Sequence, residues 1–164
     1  MAPCDRKWLE EIIPKHLKEV KTVLDVGSRD INGNPRDLFS YVSEYVGMDS
    51  EAGRGVDIVA INLMSLDLLN AFDLVLLLNV LEHDKDFMGT LGEAKRLVKP
   101  NGYMAIITPT FGFPIHRHPK DYWRFGEDAY REVLMEGFDI LDLREEFTKP
   151  EKVNPVIMCL GKKV

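Results

Sequence analysis

The sequence predicts an α/β fold, a three-layer sandwich built on a mostly parallel seven-stranded sheet with an antiparallel hairpin at one edge. Two observations carry this expectation. Short apolar runs such as TVLDV, FDLVLLL and YMAIIT alternate with segments whose apolar residues recur at helical spacing, which is the pattern of strands covered by helices on both faces. The last two strand-like runs, FDILDLREEF and PVIMCLG, have no helix between them and are expected to pair antiparallel.

The elements follow in order. Asp5 is placed to cap a first helix carrying Trp8, Leu9, Ile12, Ile13, Leu17 and Val20 inward, with Pro14 expected to kink or split it. TVLDV (22–26) is the first strand. Asn34, Pro35 and Asp37 give a cap, a first-turn proline and an acidic first turn, so a helix is expected there with Leu38, Phe39 and Val42 facing inward. EYVGM follows as the second strand, and VDIVAI (56–61), reached through the glycine-rich EAGRG, as the third. A short helix around SLDLLNA leads to the fourth strand, FDLVLLL (72–78). Asp84 is placed to cap a helix with Phe87, Met88, Leu91, Ala94, Leu97 and Val98 on one stripe, stopped by Lys99-Pro100-Asn101-Gly102. YMAIIT (103–108) is the fifth strand; an irregular stretch over 109–125 precedes a helix from Glu127 to Met135, which Gly137 ends.

A chain of 164 residues with 45% hydrophobic and 29% charged residues suits one domain over 1–164 with a real core. The net charge of −6 opposes attraction to a phosphate backbone, which argues against nucleic acid. Cys4 and Cys159 lie far apart without CxxC spacing and read as free thiols of a reducing compartment. MAPCDRKWLEE has no apolar run behind a basic segment, and no stretch is long enough to span a bilayer, so no membrane partner and a cytoplasmic location are expected.

In sheets of this kind ligands collect beyond the carboxyl ends of the strands, where strand order reverses. The turn after the first strand reads Gly27-Ser28-Arg29-Asp30-Ile31-Asn32-Gly33. Gly27 allows a close backbone approach, and Asp49 ends the second strand where an acid can accept from both hydroxyls of a ribose. The G-x-G-x-x-G of a pyrophosphate cradle is missing, which disfavours NAD. Taken singly, Asp25 could cap amides, Asp49 could be a turn acid and Gly27 a bend; together, at these strand ends, they favour a cofactor. Arg29 could pair with a cofactor carboxylate or neutralise Asp30 or Asp37.

VLDVGSRDINGNPRDLF, YVGMDSEAGRGVDIV, FDLVLLLNVLEH, EAKRLVKPNGYMAIITPT and HPKDYWRF, in this order, resemble the class I S-adenosylmethionine-dependent methyltransferases. Within them the likeness is to a small stand-alone branch with a GS-x-D-x-NG turn and a DYWRF loop. The resemblance implies a Rossmann-like fold, S-adenosyl-L-methionine as cofactor and S-adenosyl-L-homocysteine as product. It implies that Asp25, Gly27 and Ser28 cradle the methionine part, that Asp49 holds the ribose with Met48 and Ser50 beside the adenine, and that the backbone of Asn79 and Val80 approaches the cofactor. Two departures stand out. Arg29 and Ile31 replace glycines of the commoner turn, leaving Asn32-Gly33 to supply the tight bend, and the usual adenine-binding acid after the third strand is absent, leaving Asn62 or backbone groups.

Methyl transfer from a sulfonium is an in-line displacement, so the protein helps mainly by alignment and exclusion of water, with a base where the acceptor carries a proton. His116, His118, Asp121 and Tyr122 lie on the 109–125 loop expected over the methyl group; of these His118, Asp121 and Tyr122 are the candidates at the acceptor, and Glu82 and His83 could reach the same pocket. The same loop also reads as a packed lid, with Trp123 and Phe125 buried, Arg124 tied to an acid and Asp121 capping a turn. His116-x-His118 with Asp121 has the alternation of a metal site but no third ligand at convincing spacing, so no metal is expected. Arg117, Lys120 and Arg124 form a basic patch that suits an anionic acceptor such as a phosphorylated sugar or a carboxylate. With no second domain evident, the acceptor is expected to be a small molecule or glycan recognised by the first helix, this loop and a partner, a second copy in a homodimer among them. The contrasting expectation is a methyltransferase-like binding module without catalysis.

Overall fold

The computed structural model describes residues 1–164 apart from His118, Pro119, Pro150 and Lys152. Helix α1 (Pro3–His16) is followed by β1 (Thr22–Val26), β2 (Glu44–Asp49), β3 (Ile58–Val59) and β4 (Phe72–Leu78). Then come α2 (Phe87–Leu97), β5 (Val98–Pro109), the single turn α3 (Glu127–Ala129), β6 (Phe138–Lys149) and β7 (Val153–Lys163). The seven strands form one sheet in the order β3-β2-β1-β4-β5-β7-β6. Strands β1 to β5 run parallel, β7 is antiparallel to β5, and β6 is antiparallel to β7. This is the Rossmann-like sandwich with an antiparallel edge hairpin that the alternation of elements predicts.

Successive residues of the central strands feed opposite layers. Val75 and Leu77 of β4 and Met104 and Ile106 of β5 pack with Leu91, Ala94 and Leu97 of α2. Leu74 and Leu76, with Ala105 and Ile107, pack instead with Trp8, Leu9 and Ile12 of α1. Burial on both faces is why these strands are unbroken apolar runs; each such side chain contributes about 1.5–3 kcal/mol through burial. Strand order reverses between β1 and β4, so a crevice opens at their carboxyl ends.

Several local expectations are corrected. Pro14 does not split α1 into two, because it sits in the last turn and the helix stops at His16. Asp5 is not the cap residue but lies inside the first turn, where its carboxylate accepts from the Ala2 amide at 3.0 Å. The helix expected after Asn34 is a short 3-10 turn, Pro35–Phe39, though Asn34 caps it by accepting from the Arg36 amide. A 3-10 turn at Leu63–Ser65 replaces the helix expected around SLDLLNA. Asp86, not Asp84, caps α2; Asp84 accepts instead from the Asp86 amide at 2.8 Å and from Thr90. Strand β5 starts at Val98 and crosses Lys99-Pro100-Asn101-Gly102 through an irregularity in its pairing with β4, Asn101 taking a φ of 61°. After α3 the chain continues as a π-helical turn, Tyr130–Leu134. No helix among the described residues is long and apolar enough to cross a membrane.

Candidate cofactor cleft and acceptor side

The chain leaves β1 through Gly27 at φ 75°, with the amides of Gly27 and Ser28 both donating to the Met48 carbonyl at 2.8 and 3.0 Å. This fixes the first turn against the end of β2. The other positive-φ residue of the turn is Gly33, at 101°; Arg29 and Ile31 are not in the left-handed region, so the turn tolerates side chains where the commoner sequence has glycine. Asn34 locks the loop from below, its amide donating to the Ser28 carbonyl at 2.7 Å, while the Asp30 amide reaches the Arg54 carbonyl at 2.8 Å. On the opposite wall Val80 comes so near that a Cβ on Gly27 would lie 2.6 Å from its Cγ2.

Between these walls lies a cleft of about 1040 Å³. Asp25, Gly27, Ser28, Arg29, Met48, Asp49, Ser50, Asn62, Asn79 and Val80 all line it, so the fold brings all ten cofactor candidates to one surface. Asp49 is aimed by backbone groups: one oxygen accepts from the Arg29 amide at 3.2 Å and the other from the Glu51 amide at 3.0 Å. The Ser28 hydroxyl oxygen is buried in the cleft wall and has no partner among the described residues. Asp25 accepts from the Tyr45 hydroxyl at 2.8 Å, and burial pushes its carboxyl up to about 7. Asn79 holds a left-handed φ of 57° at the end of β4 and donates to Asp5 at 3.2 Å, which ties the cleft to α1. That role of Asp5 is invisible in the sequence because it joins residues from the two ends of the first half.

Two cleft residues have local duties that the sequence does not show. Arg29 pairs with Glu51, not with Asp30 or Asp37, whose own partners are Arg54 and Arg6. Asn62 caps the 3-10 turn, its side-chain oxygen accepting from the Ser65 amide at 3.2 Å, so this acceptor is already engaged. The remaining charges are mostly acidic, with Asp84 and Asp86 joining Asp25, Asp49 and Glu51 around the cleft.

The 109–125 loop docks on the end of β4. The Tyr122 amide donates to the Glu82 carbonyl at 2.8 Å and the Trp123 indole to the Asp84 carbonyl at 2.8 Å. Phe87 stacks edge-on against Trp123 and Phe125 at 5.3 and 5.1 Å. The lid reading holds for Phe125, which is buried, and for Arg124, tied to Asp121, but not for Trp123, which stays exposed because its indole reaches outward to the Asp84 carbonyl. Of the acceptor candidates, His118 lies outside the described residues. Asp121 is bound by both terminal nitrogens of Arg124 and accepts from the His116 amide at 2.8 Å, and the guanidinium holds its carboxyl well below the usual range. A carboxylate so engaged shapes the loop and is no free base, and Arg124 is withdrawn from the basic patch expected with Arg117 and Lys120. The Tyr122 side chain is exposed.

Glu82 is fully buried, with neither carboxylate oxygen hydrogen-bonded among the described residues, and burial, with a further contribution from Asp121, pushes it up to about 8. His83 and His116 flank it, their rings 4.8 Å apart. Burial and the neighbouring His83 lower the His116 pKa. The sequence expects Glu82 and His83 to reach the pocket of the loop that carries His116, and the three side chains do come together.

No curated protein matches the sequence significantly. Among solved structures, the fold is similar to a Burkholderia thailandensis 1,6-didemethyltoxoflavin-N1-methyltransferase with bound 1,6-didemethyltoxoflavin and S-adenosylhomocysteine (TM-score 0.78, 20% identity, covering 97% of this chain and 78% of that one). It is also similar to the N-methyltransferase NodS from Bradyrhizobium japonicum WM9 in complex with S-adenosylhomocysteine (TM-score 0.72, 11% identity, 99% and 88% covered). The [4+2]-cyclase SpnF shares the fold as well (TM-score 0.71, 14% identity, 96% and 81% covered), so the architecture alone does not dictate the reaction. The family model for a methyltransferase domain matches residues 4–149, nearly the whole chain, and the protein belongs to that family.

Proposed function

We propose that the protein is an S-adenosylmethionine-dependent methyltransferase acting on a small-molecule or glycan acceptor, with residues 1–164 as one catalytic domain. Methyl transfer is the activity of the family, and S-adenosylmethionine is its cofactor. The observation that carries the reading is the geometry at the start of the cleft: a glycine turn with no room for a Cβ beneath Val80 and, beside it, an Asp49 carboxylate aimed by the Arg29 and Glu51 amides.

In this reading the cofactor supplies a methyl group activated on a sulfonium. Gly27, Ser28 and Asp25 hold its amino-acid end, Asp49 accepts from the ribose hydroxyls, and Met48 and Ser50 flank the adenine, whose amino group finds a backbone acceptor because the Asn62 oxygen is engaged. Arg29 borders the amino-acid end, with its charge largely met by Glu51. An acid-rich cleft favours a cationic sulfonium over a pyrophosphate. Asn79 and Val80 form the wall facing Gly27. The loop carrying Asp121 and Tyr122 closes the acceptor side; Asp121 and Arg124 position it, and His118 and Tyr122 are the candidates to act on the acceptor. The GS-x-D-x-NG turn and the DYWRF loop support a small stand-alone branch of the class. Two free thiols, Cys4 and Cys159, accord with a reducing, cytoplasmic setting.

Incubation of the protein with S-adenosylmethionine and a panel of hydroxylated, aminated and carboxylated small molecules tests the reading. Formation of S-adenosylhomocysteine that depends on both the acceptor and Asp49 supports it. Acceptors methylated equally by wild type and Asp49→Ala, or no product across the panel despite bound cofactor, would overturn it.

A further inference from the structure

Glu82, His83 and His116 place three metal-ligating atoms within 4.8 Å of one another at the edge of the cleft. Glu82 Oε1 lies 3.6 Å from His83 Nε2 and 3.9 Å from His116 Nε2. These separations are too long for hydrogen bonds. They exceed by about 0.2–0.9 Å the roughly 3–3.4 Å expected between donors that sit about 2.1 Å from one ion, and the set spans up to 4.8 Å, so a bound ion draws the two imidazoles inward. Among the described residues neither oxygen of the buried carboxylate has a partner, an arrangement that is costly unless something occupies the gap.

The imidazoles are already oriented for that occupant. His83 Nδ1 contacts the Lys120 carbonyl, whereas His116 Nδ1 lies 3.1 Å from an Asp121 oxygen without hydrogen-bonding it or any other described residue; both rings turn Nε2 towards Glu82. A carbonyl or carboxylate behind the distal nitrogen is the usual support of a metal-bound histidine. Asp121 is held in place by Arg124, which makes it a positioning residue here.

We infer that Glu82, His83 and His116 bind one divalent transition-metal ion, and that an acceptor oxygen completes its coordination. Two histidines and a carboxylate leave positions open, as catalytic sites do. His83 lines the cleft, so the open side adjoins the space assigned to the cofactor, and this inference rests on that assignment. An acceptor hydroxyl bound there loses its proton to solvent more readily. Its electron pair then forms the O–CH3 bond while the C–S bond breaks, leaving that bond's pair on sulfur as a neutral thioether. The inference names a hydroxylated acceptor as the substrate class.

Titration of tag-free, chelator-treated protein with Co²⁺ tests it through the visible d–d spectrum. The expected result is saturation at one equivalent, with the spectrum lost in Glu82→Gln and in the loop variant His116→Ala and retained in His16→Ala. No saturable spectrum, or one unchanged by both site variants, would overturn the inference. Calorimetry with S-adenosylhomocysteine on the same samples separates the two readings: homocysteine-adduct binding without Co²⁺ binding removes only the metal, whereas Co²⁺ binding without it removes only the cofactor assignment.

Discussion

Gly27 and Val80 face each other across the mouth of the cleft with no space for another carbon: a Cβ on Gly27 would sit 2.6 Å from Val80 Cγ2. Gly27 also holds a φ of 75°, which costs a residue with a side chain about 1–2 kcal/mol. Gly27→Ala is therefore expected to destabilise the protein by about 2–5 kcal/mol in total and to abolish binding of S-adenosylhomocysteine. Adding Val80→Ala should return only the part due to the contact, because the backbone cost remains; denaturant unfolding of the single and double variants measures both parts.

The elements that the sequence reveals are those whose pattern is set locally by burial. Strands β1, β4 and β5 read as apolar runs because Leu74 to Leu77 and their neighbours are buried on alternate faces. The apolar run VDIVAI looks the same but becomes the two-residue edge strand β3, with Val59 and Ile61 exposed and Asp57 taken by the Gly47 amide and Arg36. Nothing local distinguishes an edge from a centre. Likewise Gly27, Asp49 and Asn79 mark the cleft through strand ends, whereas the meeting of Glu82 with His116 and of Asp5 with Asn79 depends on how distant segments dock.

Asn62 should respond to a single added charge. Its side-chain oxygen is occupied by the Ser65 amide, so Asn62→Asp keeps the cap and adds a second, free oxygen on the adenine side of the cleft. Affinity for S-adenosylhomocysteine is expected to rise roughly three- to tenfold, within the worth of one hydrogen bond to a charged group. Isothermal titration calorimetry of the variant checks this.

Asp25 gives stability a pH dependence with a definite sign. Burial raises its carboxyl from 3.8 to about 7, so between these values the unfolded chain ionises while the folded chain keeps the proton. The folded state then binds more protons, and stability falls as pH rises through that window, levelling off above it. Glu82, raised for the same reason, adds to the slope. Asp25→Asn should therefore lose part, not all, of the decline between pH 3.8 and about 7, as read from urea unfolding across pH.

Asp121 and Arg124 are expected to shape the loop and not the cofactor cleft. Asp121→Asn breaks a pair whose carboxylate side is almost fully covered, and should cost about 1–3 kcal/mol. Binding of S-adenosylhomocysteine should be unchanged, since neither residue lines the cleft, while proteolysis within 109–125 becomes faster. Limited proteolysis alongside calorimetry separates these effects.

The most direct measurement is thermal unfolding with S-adenosylmethionine, S-adenosylhomocysteine and NAD, each in large excess, for wild type and Asp49→Ala. A ligand at about 100 times its Kd adds roughly 2.7 kcal/mol, and each kcal/mol raises the midpoint by about 2–4 °C for a chain of this size. Stabilisation by both S-adenosyl compounds but not by NAD, lost in Asp49→Ala, is the predicted result. No shift with either S-adenosyl compound, or an equal shift in Asp49→Ala, would contradict the account.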